Sequence, residues 1–219
     1  MPEPETIAVI DDDDSIRKAL VRVLSNAGLK VLAFSSAQDF LAIAESEPVS
    51  CVVSDLRMPD IDGLHLQAAL VERMPHVAIV FLTGHGDISS SVQAMKSGAV
   101  DFLEKPVKRA ELLKAINQAV QRTHREEAQA ADLKTLKKRY AELTPRERQV
   151  FALVAAGLLN KQIAAELGNA EKTTKQHRGS VMNKMRAASV AELVLMADRL
   201  GVRPSGVDFS QARGLTRPA

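Results

Sequence analysis

An α/β domain followed by an all-α domain is the fold class that this sequence predicts, and three observations carry it. Five short runs rich in Val, Ile, Leu and Phe punctuate the first half: TIAVI (6–10), LKVLAF (29–34), SCVVS (50–54), VAIVFL (77–82) and AVDFLE (99–104). Stretches of helical spacing separate them, such as Ile16, Leu20, Val23 and Leu24, then Leu64, Leu66, Ala69 and Leu70. Beyond residue 107 the strand signals vanish and the chain reads as helix. Five strands alternating with helices imply a five-stranded parallel sheet covered on both faces.

Taken in order, Gly28 and Gly98 sit where helices should stop. Leu112, Leu113, Ile116 and Val120 form one apolar stripe, and the polar, breaker-free run QRTHREEAQAADLKTLKKR continues it as a helical linker. Its tail resumes a 3-4 spacing at Leu133, Leu136, Tyr140 and Leu143, and the linker as a whole fits either a solvated connector or a coiled-coil-like dimer seam. Thr144-Pro145-Arg146-Glu147 is a capping box with Pro at the first helical position. Gly157 ends that helix, Asn160 is a candidate cap for the next, Gly168 ends that one, and a second box at Ser189–Glu192 starts a last helix that stops at Gly201. The tail after Val202 lacks periodicity and is expected to be disordered.

Composition narrows the function. With 46% hydrophobic and 26% charged residues among 219, the chain is expected to fold rather than stay disordered. Its single cysteine, Cys51, excludes an intramolecular disulfide framework; set within a strand run, it reads as core. No charged-then-apolar leader opens the sequence, and no apolar stretch reaches the roughly 18 residues of a membrane span, so the expectation is a cytoplasmic protein without a membrane partner. The net charge of +2 is a cancellation. Residues 1–120 carry 17 acidic against 11 basic side chains, a net of −6, and residues 121–219 carry 10 against 18, a net of +8. Two domains with different partners are implied, the basic one a candidate for nucleic acid.

The acidic half concentrates its chemistry at strand ends. Asp11, Asp12 and Asp55 follow the first and third strands, Thr83 the fourth and Lys105 the fifth, whereas the second ends in Phe34-Ser35 and offers no charge. In a doubly wound sheet of order 2-1-3-4-5 these five residues converge on one rim, where such sheets bind their ligands. Three clustered carboxylates repel unless a cation sits among them, and carboxylates with water and phosphate oxygens suit Mg²⁺. One carboxylate can then attack a phosphoryl group and form an acyl phosphate, with Lys105 and the Thr83 hydroxyl binding the phosphoryl oxygens.

These residues carry a resemblance. Residues 5–120, through DLRMPD, LTGHGD, MKSGAVDFLEKP and the acidic start IDDD, resemble the receiver domain of two-component response regulators of the FixJ type, which implies a flavodoxin-like (βα)5 fold. The resemblance implies Asp55 as phosphoacceptor. It further implies Mg²⁺ held by Asp12, Asp55 and the carbonyl of Arg57, with Asp11 acting through water. Thr83 and Lys105 would read the phosphoryl group, Lys105-Pro106 would be a cis peptide, and Phe102 would be the aromatic residue that turns inward on activation. His85 reads as a loop residue that modulates dephosphorylation. A haloacid-dehalogenase-like phosphatase using Asp11 ranks lower, because no further acidic pair follows the lysine and Asp55 would have no role. A receiver acting only through protein contacts is the third reading.

The basic half, through LTPRERQVFALVAAGLLNKQIAAEL and SVMNKM, resembles the LuxR-type helix-turn-helix domain rather than a bundle whose bases are merely solvated. The recognition helix is expected from about Glu171 to Met185. By the family pattern Lys175, Gln176 and Gly179 face the major groove, Lys172, Thr173, His177 and Arg178 lie near the DNA backbone, Lys161 and Gln162 suit phosphate contacts, and Val181 and Met185 are core. Two departures stand out: Asn169-Ala170 replaces the usual Ile-Ser, with Asn169 a candidate cap one residue early, and Thr174 replaces a buried Val. The expected organisation is a receiver at 5–120, a helical linker at 121–142, a DNA-binding domain at 143–203 and a disordered tail at 204–219. The implied partners are a cognate sensor histidine kinase, double-stranded DNA, a second copy of the chain in a phosphorylation-dependent homodimer, and RNA polymerase.

Overall fold

The computed structural model describes residues 4–44, 46–59, 61–84 and 88–203; His85 and the tail from residue 204 lie outside these. The chain divides into two compact units, Met1–Ala128 and Gln129–Ala219.

In the first unit, strands β1 (Thr6–Ile10), β2 (Lys30–Phe34), β3 (Cys51–Asp55), β4 (Ala78–Thr83) and β5 (Asp101–Glu104) alternate with helices α1 (Asp14–Ser25), α2 (Ala37–Ile43), α3 (Gly63–Arg73) and α4 (Ile88–Lys96). All neighbouring strands pair parallel, in the order β2-β1-β3-β4-β5. β1 and β4 are buried throughout and β3 nearly so, whereas edge strands β2 and β5 are only partly covered, as expected for a sheet with helices on both faces. The pleat sorts side chains by parity. Ala8, Ile10, Val52, Ile79 and Phe81 meet Phe40, Leu66, Leu70 and Ala94 on one face. Ile7, Val9, Cys51, Val53, Val80 and Leu82 meet Leu20, Leu24, Leu112 and Ile116 on the other. Cys51 is thus core, and burial pushes its thiol pKa above the ordinary range.

Local chemistry starts and stops the helices. Asp13 caps α1 by accepting from the amides of Ser15 and Ile16, Ser36 caps α2, and Asp62 caps α3. Gly28 and Gly98, just past α1 and α4, take the left-handed backbone that closes a helix without a Cβ clash.

Helix α5 (Arg109–Ala141) runs unbroken for 33 residues, so the polar linker continues the last receiver helix. Thr123 is buried on it and its hydroxyl accepts from the Ala78 amide at 3.0 Å. The second unit packs α6 (Pro145–Ala155), α7 (Asn160–Glu166), α8 (Glu171–Met185) and α9 (Val190–Leu200) around Val150, Phe151, Val154, Ile163, Val181, Met185 and Leu193. Leu136 and Leu143 are buried in that same core and Tyr140 packs against it. Leu136, Tyr140 and Leu143, at the end of the linker, are therefore occupied within the second unit.

Three cap expectations need correction. Leu159 is the residue before α7, Gln162 reaching back to its amide at 2.8 Å; Asn160 is the first helical residue and accepts from Arg178 at 2.9 Å. Asn169 does not cap α8, because Ala170 holds the cap position and the Asn169 amide oxygen accepts from Arg146. Ser189 caps α9, but Glu192 reaches the amide of Ala188, so no reciprocal box closes on Ser189. The box at Thr144, with Glu147 and Pro145, forms as expected.

Candidate functional sites: an acidic pocket and a basic helical module

Parallel strand order brings the carboxyl ends of β1, β3, β4 and β5 side by side, and the expected residues with them. Asp11 directly follows β1 and is fully buried; Asp12 beside it is exposed. Asp55 and Thr83 are the last residues of β3 and β4, one position earlier than the apolar runs imply. Lys105 follows β5, its amide donating to the Thr83 carbonyl at 2.7 Å and its bond to Pro106 cis.

The Lys105 ammonium lies 2.7 Å from Asp11 Oδ2 and 2.7 Å from Asp55 Oδ2. The side chains of Lys105 and Asp55 are only 16% and 13% exposed. Ligand atoms of Asp11, Asp12 and Asp55 lie within 4.8 Å of one another. The amides of Asp13 and Arg57 donate to Asp11 and Asp55 at 3.0 and 3.2 Å, turning both carboxylates inward. Gly63 secures the wall behind Asp55: a Cβ there would lie 2.7 Å from the Phe81 ring and 2.9 Å from the Asp55 carbonyl oxygen. The Thr83 hydroxyl donates to the Gly84 carbonyl at 3.0 Å. Phe102 is half-buried on β5, opposite Phe81, with ring centroids 6.4 Å apart.

Burial pushes the Asp11 carboxyl above its ordinary value, and the bond to Lys105 only partly offsets that. Burial also works against the Lys105 charge, but hydrogen bonds to Asp11 and Asp55 outweigh it and hold the ammonium above its ordinary value. One ammonium shared by two carboxylates satisfies the cation better than the anions. Asp11 is therefore a group whose ionisation costs stability as pH rises past the ordinary carboxylate range. Three carboxylates against one ammonium leave a negative pocket lined with hard oxygen donors, which suits a divalent cation.

In the second unit, α8 spans the expected Glu171–Met185. Lys172, Lys175, Gln176 and Gly179 are exposed on it, and Lys161 and Gln162 are exposed on α7; Thr173, His177 and Arg178 are half-buried, and Val181 and Met185 are core. Two residues of α6 that the motif marks only as cap chemistry also reach this helix or the turn before it. Glu147, 5% exposed, accepts from Ser180 Oγ at 2.5 Å and Lys184 Nζ at 2.8 Å. Burial works against its charge, yet these partners and the Thr144 amide bring its pKa down to about 2. Arg146 bonds to the turn that precedes α8.

Thr174 is fully buried and its hydroxyl has no hydrogen-bond partner. A buried unpaired hydroxyl costs about 1–3 kcal/mol. Thr174→Val, close to isosteric, should therefore stabilise the second unit by about 1 kcal/mol in chemical denaturation; a destabilised variant would show that the hydroxyl is satisfied.

Among the described residues no helix is long and apolar enough to cross a membrane. The pattern of the response regulator receiver domain matches residues 7–117, and that of the luxR family of bacterial regulatory proteins matches residues 141–197. The chain belongs to the response regulators that join a receiver to a LuxR-type DNA-binding domain, and is a two-component transcription regulator of the FixJ type, not a classical enzyme. It is similar to Nodulation protein W of Bradyrhizobium diazoefficiens, 44% identical over 205 residues that cover 94% of this chain and 90% of that one. Transcriptional regulatory protein FixJ of Azorhizobium caulinodans is 43% identical over 205 residues, 94% of this chain and 97% of that one. Among solved structures, the response regulator StyR is 40% identical with a TM-score of 0.74, covering 90% of this chain and all of that one. Full-length FixJ from B. japonicum is 42% identical with a TM-score of 0.56, covering 90% and 97%. Membership implies a kinase partner and DNA.

Proposed function

We propose that Asp55 is the phosphoacceptor and that its phosphorylation controls DNA binding by the second unit. The observation that carries this reading is the Lys105 ammonium set 2.7 Å from both Asp11 and Asp55 at one rim of the sheet. An Asp55 oxygen attacks the phosphorus of a phosphohistidine on the sensor kinase. The P–O bond forms as the P–N bond breaks, and the released imidazole nitrogen takes up a proton. Lys105 and the Thr83 hydroxyl bind the transferred oxygens. Asp12, Asp55 and the Arg57 carbonyl would hold Mg²⁺, with Asp11 acting through water. When bound, the ion screens the carboxylates and the incoming phosphoryl charge.

Drawing Thr83 toward the phosphoryl group vacates space that Phe102 fills from β5, and the α4–β5 face changes shape. That change favours a homodimer or frees the DNA-binding domain. The receiver spans 5–120, the linker 121–142 and the DNA-binding domain 143–203. Lys175, Gln176 and Gly179 read the major groove, and Lys172, Thr173, His177, Arg178 and Lys161 contact the backbone of a paired site. RNA polymerase, at DNA in the cytoplasm, receives the output.

Acetyl phosphate with Mg²⁺ should raise the intact mass of the full chain by one phosphoryl group, and Asp55→Asn should abolish the gain. Undiminished labelling of D55N would sink the assignment.

A further inference from the structure

Helix α8 begins without a cap. Ala170 holds the extended backbone of an N-cap, with φ −68° and ψ 144°, but supplies no side-chain oxygen. Its neighbour Asn169 is not free to substitute, since its amide oxygen accepts from Arg146 Nη2 at 2.9 Å. The same nitrogen donates to the Leu167 carbonyl, at the C-terminus of α7, and Arg146 Nη1 donates to Gln149 at 2.8 Å. One guanidinium thus neutralises the carbonyl end of α7 and holds the turn that aims α8. Its own base is firm, because Arg146 sits in the first turn of α6 within the closed Thr144 box. The adjacent Glu147 grips α8 further along, at Ser180 and Lys184.

We infer that Arg146 is a positioning residue for DNA recognition, holding through Leu167 and Asn169 the turn from which the uncapped α8 starts. This rests on the reading of α8 as the recognition helix. The competing role for a surface arginine in a DNA-binding unit is a phosphate contact, and the two differ in what they predict. A phosphate contact contributes about 0.9 to the slope of log affinity against log salt, whereas a positioning residue contributes nothing to it. Only a positioning residue can be replaced by a cap at Ala170.

The full chain, treated with acetyl phosphate and Mg²⁺, is titrated with a 30-base-pair duplex that the wild type enriches from a random pool. Arg146→Ala should weaken binding about tenfold with the salt slope unchanged. Ala170→Ser should restore most of that loss in the R146A background, yet change affinity little when Arg146 is present. Weakening with a shallower slope and no restoration would make Arg146 a DNA contact and overturn the inference. An R146A variant that binds like wild type, or an A170S effect equal in both backgrounds, would overturn it as well. A wild type that enriches no duplex would instead remove the DNA-binding reading, and this inference with it.

Discussion

Lys105→Met should destabilise the N-terminal unit by about 3–5 kcal/mol at pH 7, the scale for removing one partner of a buried ionic group. Both mild acid and Mg²⁺ should recover much of the loss. Lys105 is the cation bonded to Asp11 and Asp55 together, 2.7 Å from each. Without it, fully buried Asp11 keeps the burial that raises its pKa and loses the largest of the interactions that lower it, retaining only the Asp13 amide. A carboxyl whose folded pKa lies above its unfolded one stabilises the fold below the unfolded value, and that contribution is lost as pH rises through the folded value. The gap between variant and wild type should therefore narrow as pH falls from 7 toward 4, the ordinary carboxylate range. A divalent cation binds the folded state and, with no Lys105 ammonium competing for Asp11 and Asp55, binds the variant more tightly than the wild type, which narrows the gap. Thermal melts at several pH values, with and without Mg²⁺, check this. A deficit independent of both would show that Lys105 acts through its packed stem, not its charge.

Phe151→Ala should cost about 3–5 kcal/mol, comparable to the whole stability of a small domain, and should abolish DNA binding at 37 °C. Phe151 is fully buried at the centre of the second unit and meets Tyr140 edge-on at 5.3 Å, while Arg148 covers the same Tyr140 ring at 5.5 Å. None of the N-terminal unit's core includes it. Phosphoryl labelling by acetyl phosphate should therefore persist. Retained DNA binding would contradict the placement of Phe151, and loss of labelling would contradict two separately cored units.

Much of this architecture was legible because local pattern and global fold agree. Central strand runs such as TIAVI are both strongly apolar and fully buried, and the limits of all five runs fall within two residues of the strands. Placing Asp11, Thr83 and Lys105 on one rim needed only strand ends and a strand order. Cap positions were less legible: Asn160 and Asn169 have the right side chains, but backbone geometry put the caps at Leu159 and Ala170. The bonds from Arg146 to Leu167 and Asn169 span more than twenty residues, and no local motif encodes them. Leu136 and Leu143 show the limit of periodicity, which marks an apolar face without saying what covers it.

The most direct measurement reduces the acetyl-phosphate-treated protein with sodium borohydride, which converts an aspartyl phosphate to homoserine and releases phosphate. Peptide mass spectrometry should then find homoserine at position 55 and nowhere else. Homoserine at position 11, with residue 55 unchanged, would contradict the assignment of Asp55 and return the pocket to phosphatase chemistry.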